Sequence, residues 1–226
     1  DGNPIAFSTP TDDEFRFIRQ YADGPLYAPI TGYFSRRQGM TGLENAMNQD
    51  LSGLSGSQFF TRLMRTMTGE EPQGSSVETT LNANVQAATA EAMSEFKGAA
   101  VAYDPTTGEI LSMVSSPSYD PNLLSSNNDT EVIANYSSLV DDPANPLFNR
   151  TIGGDLYHPG STYKLLVAAA AIENGTATPE STFANPTALQ LPGTSHEIKN
   201  NWSGACGSGV QTTLMQAITM SCNIPI

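Results

Sequence analysis

The feature that most constrains this chain is an unbroken apolar run of eight residues, 165–172, with the sequence LLVAAAAI. A Pro-Gly turn signal at residues 159–160 precedes it, and an Asn-Gly helix-ending signal at residues 174–175 follows it. A helix that is apolar on every side is a buried one. The run therefore predicts a central, buried helix with Ser161 as its N-cap. It is too short to cross a bilayer, which needs about 20 apolar residues.

Two polar residues, Ser161 and Lys164, lie at the start of this predicted helix. Residues three apart on a helix share a face, with Cβ atoms about 5–6 Å apart. A serine hydroxyl is a poor nucleophile until a neighbour removes its proton. A lysine is a suitable base when burial and the positive helix start disfavour its charged form. The pattern predicts a nucleophile and its base, but an N-cap serine followed by a solvated lysine fits the same residues.

Composition excludes several classes of partner. The 226 residues suffice for one large domain or two small ones, and 10 basic against 23 acidic residues give a formal charge of −13. This charge argues against nucleic acid and against docking on an anionic membrane surface. The sequence contains no transmembrane run and no signal peptide, and it opens at Asp1 without a methionine. We therefore expect an excised piece of a longer polypeptide.

The two cysteines, Cys206 and Cys222, are 16 residues apart. They cannot form a structural zinc site alone, and neither histidine, His158 or His196, shows metal-ligand spacing. Two reduced thiols fit these residues. A single disulfide, which would add roughly 3 kcal/mol of stability in an exported protein, fits them equally well.

Periodicity predicts an α+β chain with a first region at residues 1–76 and a second at residues 77–226. In the first region, residues 58–68 form a helix whose apolar stripe is assigned to the core. The breaker-rich segment 70–76 is predicted to be a boundary or hinge. In the second region, hydrophobic patterning predicts a strand, three helices and an antiparallel hairpin at residues 77–81, 85–96, 130–140, 213–220, and 99–103 with 110–114, respectively.

Two of these sequence features match known motifs. Ser161-x-x-Lys164 followed by Ser221-x-Asn223 corresponds to two of the three motifs shared by penicillin-binding proteins and serine β-lactamases. Segment 98–111 resembles the opening hairpin of a transpeptidase domain.

Other segments extend this likeness to nearly the whole chain. Residues 115–122 resemble the continuation of that hairpin, and residues 147–150 and 159–164 resemble the approach to the nucleophile. Residues 31–35 and 42–44 resemble the amino-terminal region of class B penicillin-binding proteins. The chain is therefore similar to that class, and within it to the actinobacterial penicillin-binding protein A type.

The resemblance implies a fold with two domains. Residues 77–226 would be a partial penicillin-binding or transpeptidase fold, an antiparallel sheet with helices that lacks its later strands. Residues 1–76 would be a small, irregular α+β pedestal or dimerisation-type domain. The protein would work on the extracytoplasmic face of the cell membrane, with a membrane glycosyltransferase of the wall-synthesis machinery or another copy as a partner.

The resemblance also implies a reaction, the cross-linking of peptidoglycan stem peptides that end in D-Ala-D-Ala. Ser161 would be the nucleophile and Lys164 its base, while Ser221 would relay a proton and Asn223 would hold the substrate amide and Lys164. β-Lactam antibiotics would acylate the same serine. No metal or organic cofactor is implied, and no nucleic acid. A Cys206–Cys222 disulfide that anchors the Ser221–Asn223 loop is expected from the extracytoplasmic location.

The sequence departs from the family pattern in three places. The third motif, Lys-Thr-Gly or Lys-Ser-Gly, does not occur in these 226 residues, so we expect a truncated chain with an incomplete site. His158 stands where proline is common, and residues 224–226 differ from the usual continuation. Nothing in the sequence gives these last two changes a physical explanation.

Other functions remain alternatives at this stage. A non-catalytic penicillin-binding interaction module or β-lactam sensor would keep the fold without turnover. A β-lactamase would leave the first region unexplained. A Ser-His-Asp hydrolase lacks support because no Gly-x-Ser-x-Gly elbow surrounds Ser161. A phosphate-binding loop is excluded because no lysine follows Gly160 at the required position.

Overall fold

The computed structural model describes residues 2–69, 74–154 and 157–225, and it confirms an α+β chain. Its helices are α1 (Gly24–Thr31), α2 (Gly42–Ala46), α3 (Asn48–Leu51), α4 (Phe59–Thr68), α5 (Ala83–Met93), α6 (Asn122–Ser125), α7 (Asp129–Asp141), α8 (Tyr163–Glu173) and α9 (Leu214–Thr219). Its strands are β1 (Ala6–Pro10), β2 (Phe17–Tyr21), β3 (Phe34–Ser35), β4 (Gly39–Met40), β5 (Gly98–Tyr103), β6 (Ile110–Ser116), β7 (Thr182–Ala184), β8 (Ala188–Gln190), β9 (Glu197–Lys199) and β10 (Gln211–Thr213).

The strands of these described ranges form two-stranded antiparallel sheets. Four sheets are hairpins of consecutive strands, namely β1–β2, β3–β4, β5–β6 and β8–β9. The fifth sheet pairs β7 with β10, so its connection carries the β8–β9 hairpin. The chain divides into two compact units, Asp1–Leu156 and Tyr157–Ile226.

The predicted hairpin at residues 98–116 forms the main sheet of the first unit. Gly98 pairs with Ser116 and Val101 with Met113, with a register irregularity near the turn. Asp104 shapes that turn because its carboxylate accepts the backbone N–H of Thr106 at 2.7 Å, which is the usual role of aspartate in a tight turn.

Helix α5 packs on β6 through one buried glutamine. The side chain of Gln86 is fully buried. Its Nε2 donates to the carbonyl oxygens of Leu26 (2.8 Å) and Met113 (3.0 Å), and its Oε1 accepts the N–H of Met113 at 2.9 Å. All of these groups are therefore satisfied, as burial in an apolar layer requires. Asn82 caps the helix by accepting the N–H groups of the first turn.

Two glycines explain why the amino-terminal segments resemble a family pattern. Gly32 has φ 65° and Gly42 has φ 55°, which favour glycine. A Cβ added at Gly32 would lie 2.2 Å from the carbonyl oxygen of Thr41, and one at Gly42 would lie 2.5 Å from the nitrogen of Gly32. The two segments therefore cross at a distance that only glycine allows.

A small aromatic core lies beside this crossing. Tyr33 and Tyr119 meet edge to face with ring centroids 6.2 Å apart, and Leu124 of α6 is fully buried next to them. Burial raises the pKa of Tyr119 to about 12, so its hydroxyl stays neutral.

Three predictions for the first 156 residues are corrected. Residues 77–81 are not a strand, because they join β6 only through scattered bonds such as Thr80 Oγ1 to the carbonyl of Ile110 at 2.8 Å. The apolar stripe of α4 is exposed, with Phe60 and Met67 each 76% exposed, rather than core. An amphipathic pattern predicts that one face is apolar but not what covers it, and α4 packs mainly on the turn Gly56–Gln58 before it.

The predicted boundary at residues 70–76 falls partly outside the described residues, because 70–73 are not described. The division into domains at residue 76 stays a prediction. The helices predicted at 130–140 and 85–96 are confirmed, although the second ends at Met93.

The central helix forms where the sequence predicts it, with a different start. A 3-10 turn, Gly160–Thr162, leads into α8, and the Thr162 hydroxyl donates to the carbonyl of Pro159. Ser161 lies inside this turn and is not the N-cap. The helix ends as predicted, with Gly175 at φ 68° donating its N–H to the carbonyl of Ile172.

The prediction that α8 is buried on all sides is wrong for this unit. Ala168 is buried, whereas Leu165 and Leu166 are 58% and 66% exposed. The reason is that the unit packs on one face of the helix only, where Ala168 meets Ala177 and Leu214. No helix of the described ranges is long and apolar enough to cross a membrane.

Candidate active site

The second unit gathers its polar side chains around Lys164. This residue lies in the first turn of α8 and is half-buried. Its ammonium group donates to the Asn223 side-chain oxygen at 2.7 Å and to the Ser221 carbonyl at 2.8 Å, with the Ser221 hydroxyl at 3.4 Å. Three residues that are far apart in sequence therefore form one cluster, and bonds from a charged donor are the stronger kind.

The loop that meets Lys164 turns sharply at Ser221. This serine has φ 55°, a left-handed conformation that non-glycine residues rarely adopt. The N–H of Ser221 bonds to Ile218 at 3.0 Å and that of Cys222 to Ala217 at 2.8 Å, so the end of α9 holds the turn. The segment is thus a helix-end turn, not the extended loop that alternation suggested. Such strain persists only where neighbouring structure enforces it.

Cys222, the middle residue of this turn, is covalently tied to Cys206. The two form a disulfide with Cα atoms 5.8 Å apart, and both side chains are fully buried beside Ala217. Of the two alternatives that the residues alone left open, the structure has the disulfide.

Burial also changes the acid–base behaviour of Lys164. Loss of solvent around the ammonium lowers the pKa of Lys164 below the ordinary lysine value, because a low-dielectric surrounding disfavours the charged form. The neutral amine, which can accept a proton, is therefore reached at lower pH than in a solvated lysine.

Ser161 is not hydrogen-bonded to this cluster. It lies on the 3-10 turn one helical turn before Lys164, and its side chain is exposed. Within the described ranges its hydroxyl has no hydrogen-bond partner. The structure thus joins Lys164, Ser221 and Asn223 and leaves Ser161 open to solvent beside them on the same element.

Sequence reasoning missed the residues that hold Asn223 in place. The Asn223 N–H bonds to the Asn200 side-chain oxygen at 2.7 Å, and its Nδ2 donates to the Lys199 carbonyl at 2.8 Å. These bonds span more than 20 residues and follow no local periodicity, so no sequence pattern could have indicated them.

Comparison with known proteins decides the family. Residues 98–226 match the family described as penicillin-binding protein transpeptidase domain, and residues 1–77 match the one described as penicillin-binding protein A dimerisation domain. The chain belongs to the penicillin-binding protein transpeptidase family. It is of the class B type that the motifs indicated.

Individual relatives agree with this family. The chain is 42% identical to the peptidoglycan D,D-transpeptidase PbpA of Mycobacterium tuberculosis over 98% of its own length and 46% of the relative's. It is 30% identical to the peptidoglycan D,D-transpeptidase MrdA of Acinetobacter baumannii, covering 93% of the chain and 34% of the relative.

A solved structure is similar over almost the whole chain. It is the ceftriaxone acyl-enzyme complex of penicillin-binding protein A from M. tuberculosis, with a TM-score of 0.84 and 40% identity. The match covers 99% of this chain and 51% of that one. The present chain therefore spans about half the length of these penicillin-binding proteins.

The disulfide generates a first prediction. Non-reduced protein treated with an alkylating reagent under denaturing conditions should keep its mass, and reduced protein should gain two alkyl groups. Removing the bridge by Cys206→Ala with Cys222→Ala should cost roughly 3 kcal/mol of unfolding free energy, measured by denaturant titration. Two alkylated thiols in the non-reduced sample would contradict the pairing.

Proposed function

We propose that this chain carries the nucleophile half of a peptidoglycan D,D-transpeptidase, with Ser161, Lys164, Ser221 and Asn223 as its catalytic residues. The observation that carries the proposal is the bonding of the Lys164 ammonium to the Asn223 side chain and the Ser221 carbonyl, one turn after an exposed serine. A serine with a lysine base is a known variant of the catalytic triad. The names of the relatives support the same reaction.

The acylation step follows from the chemistry of these groups. Ser161 Oγ attacks the carbonyl carbon of the penultimate D-alanine, and neutral Lys164 takes the hydroxyl proton. The C–N bond to the terminal D-alanine then breaks, and the Ser221 hydroxyl passes a proton to the leaving nitrogen. The product is an ester of Ser161 and free D-alanine.

The second step forms the cross-link. An amine of a neighbouring stem peptide attacks the ester carbonyl and loses its proton to the base, which regenerates the Ser161 hydroxyl. Asn223 would hold the substrate amide during both steps. The Ser161 backbone N–H would stabilise the negative oxygen of each tetrahedral intermediate.

β-Lactams would enter the same pathway as substrate mimics. Their strained amide would acylate Ser161 and leave a stable ester, as in the acyl-enzyme complexes of the M. tuberculosis relative. This part of the proposal needs no cofactor, because proton transfer and hydrogen bonding supply all the catalytic groups.

The first region would act as a pedestal on the extracytoplasmic face of the membrane. Residues 1–76 would hold residues 77–226 at a fixed position, and a wall-synthesis glycosyltransferase would dock against the pedestal. The apolar face of α4 supports such docking, because Phe60, Met64 and Met67 are all well exposed.

Release of D-alanine tests the proposed function. The full-length protein incubated with a stem peptide ending in D-Ala-D-Ala should release D-alanine, and Ser161→Ala should abolish this release because no ester can form. Thr162→Ala, which changes the neighbouring hydroxyl, serves as the matched control and should keep measurable release. Covalent penicillin labelling without D-alanine release would favour the sensor alternative.

The lowered pKa of Lys164 gives a pH prediction. Because only the neutral amine accepts the serine proton, the acylation rate by benzylpenicillin should rise with pH and level off above the pKa of Lys164. The midpoint should fall below the ordinary lysine value. Lys164→Arg should lower the rate by about 10²-fold or more at every pH, because arginine does not deprotonate. A parent rate that is flat with pH would count against Lys164 as the base.

A further inference from the structure

Asn200 is a buried asparagine with every polar atom of its side chain directed at the turn that carries Asn223. It follows directly after β9 and is 2% exposed. Its Oδ1 accepts the Asn223 N–H at 2.7 Å, and its Nδ2 donates to the Gly204 carbonyl at 2.7 Å. The two partners, one donor and one acceptor, fix the orientation of the amide, because the reversed amide would face both with the wrong atom.

The same segment also orients the Asn223 side chain. The Asn223 Nδ2 donates to the Lys199 carbonyl at 2.8 Å. With its nitrogen bound there, the amide must present its oxygen in the opposite direction, where Lys164 Nζ lies 2.7 Å away. Asn223 is therefore fixed at its backbone by Asn200 and at its side chain by Lys199, and only Oδ1 is left for Lys164.

A second buried asparagine fixes the other anchor of the turn. Asn185 is 5% exposed and brackets Cys206, accepting its N–H at 2.6 Å and donating to its carbonyl at 2.9 Å. Cys206 in turn holds Cys222 through the disulfide. The turn thus has a covalent anchor at Cys222, whereas at Asn223 its backbone is held by the Asn200 amide.

The disulfide alone does not set the direction of the Asn223 side chain. Rotation about the backbone bonds after Cys222 would move Asn223 Oδ1 away from Lys164 while leaving the bridge intact. Displacements of about 1 Å in catalytic groups cost rate by about 10²-fold. The single bond from Asn200 to the Asn223 N–H restricts this rotation.

We propose that Asn200 is a positioning residue that acts through Asn223, locking its backbone so that its side-chain oxygen faces the Lys164 ammonium. Asn200 touches neither Lys164 nor Ser161 through any bond in the described ranges. The inference rests on the proposed acyl transfer and names the residue on which the geometry of that site depends.

The test separates the rate constant of acylation from the amount of active protein. Full-length protein is mixed with increasing benzylpenicillin, and the fraction acylated is followed by quenched-flow intact mass. This gives a dissociation constant, a first-order acylation constant and an amplitude. Asn200→Ala should lower the acylation constant about tenfold or more, with a smaller change in the dissociation constant. A merely structural role would lower the amplitude and leave the rate constant of the folded fraction unchanged.

Two further variants complete the design. Asn200→Asp keeps an oxygen acceptor toward the Asn223 N–H and loses the donor to Gly204, so its acylation constant should stay within about threefold of the parent. Asn201→Ala, at the exposed neighbouring asparagine, should match the parent. If Asn200→Ala does not fold, the aspartate variant decides alone, and a loss of tenfold or more there contradicts the proposal.

The outcomes distinguish the inference from the function on which it rests. A parent protein that is never acylated would overturn the proposed function. A parent that is acylated, with Asn200→Ala equal to it in rate constant, would overturn the role of Asn200 and leave the function standing. An aspartate variant as slow as the alanine variant would also overturn it, because the retained acceptor would then have no effect.

Discussion

The hydrogen bonds that Lys164 makes to Ser221 and Asn223 are the interaction on which the second unit depends. They join the start of α8 to the turn after α9, two segments separated by more than 50 residues. A partly buried ammonium needs such acceptors, because an unpaired charge away from water is costly. The same burial lowers the pKa of Lys164. One set of contacts therefore both stabilises the fold and prepares a base.

Rigidity around this cluster comes from buried polar groups more than from apolar packing. The disulfide and Ala217 form a small core, while Asn185 and Asn200 bind backbone groups of the two segments that meet there. Buried, fully bonded amides favour one arrangement, because any other leaves a donor or acceptor unpaired. The left-handed backbone at Ser221 is compatible with this view, since strain of that kind persists only under such restraint.

Much of the local structure could be predicted from the sequence, because its causes are local. The apolar run and its glycine end predicted α8, and alternation around Asp104 predicted the hairpin of β5 and β6. Spacing also indicated that Lys164, Ser221 and Asn223 share a site. Burial was predicted poorly, as Leu166 and Phe60 demonstrate, because an apolar face shows a need for a partner without identifying it. Asn200 could not be predicted, because its role depends on a bond across 23 residues.

The most direct test of the account is to locate the covalent adduct that benzylpenicillin leaves on the full-length protein. The protein is treated with the antibiotic, digested with protease and analysed by tandem mass spectrometry, beside the Ser161→Ala variant. The account predicts one penicilloyl group, on the peptide that contains Ser161, and none in the variant. An adduct on another residue, or an adduct that persists in the variant, would contradict Ser161 as the nucleophile and with it the role given to Lys164.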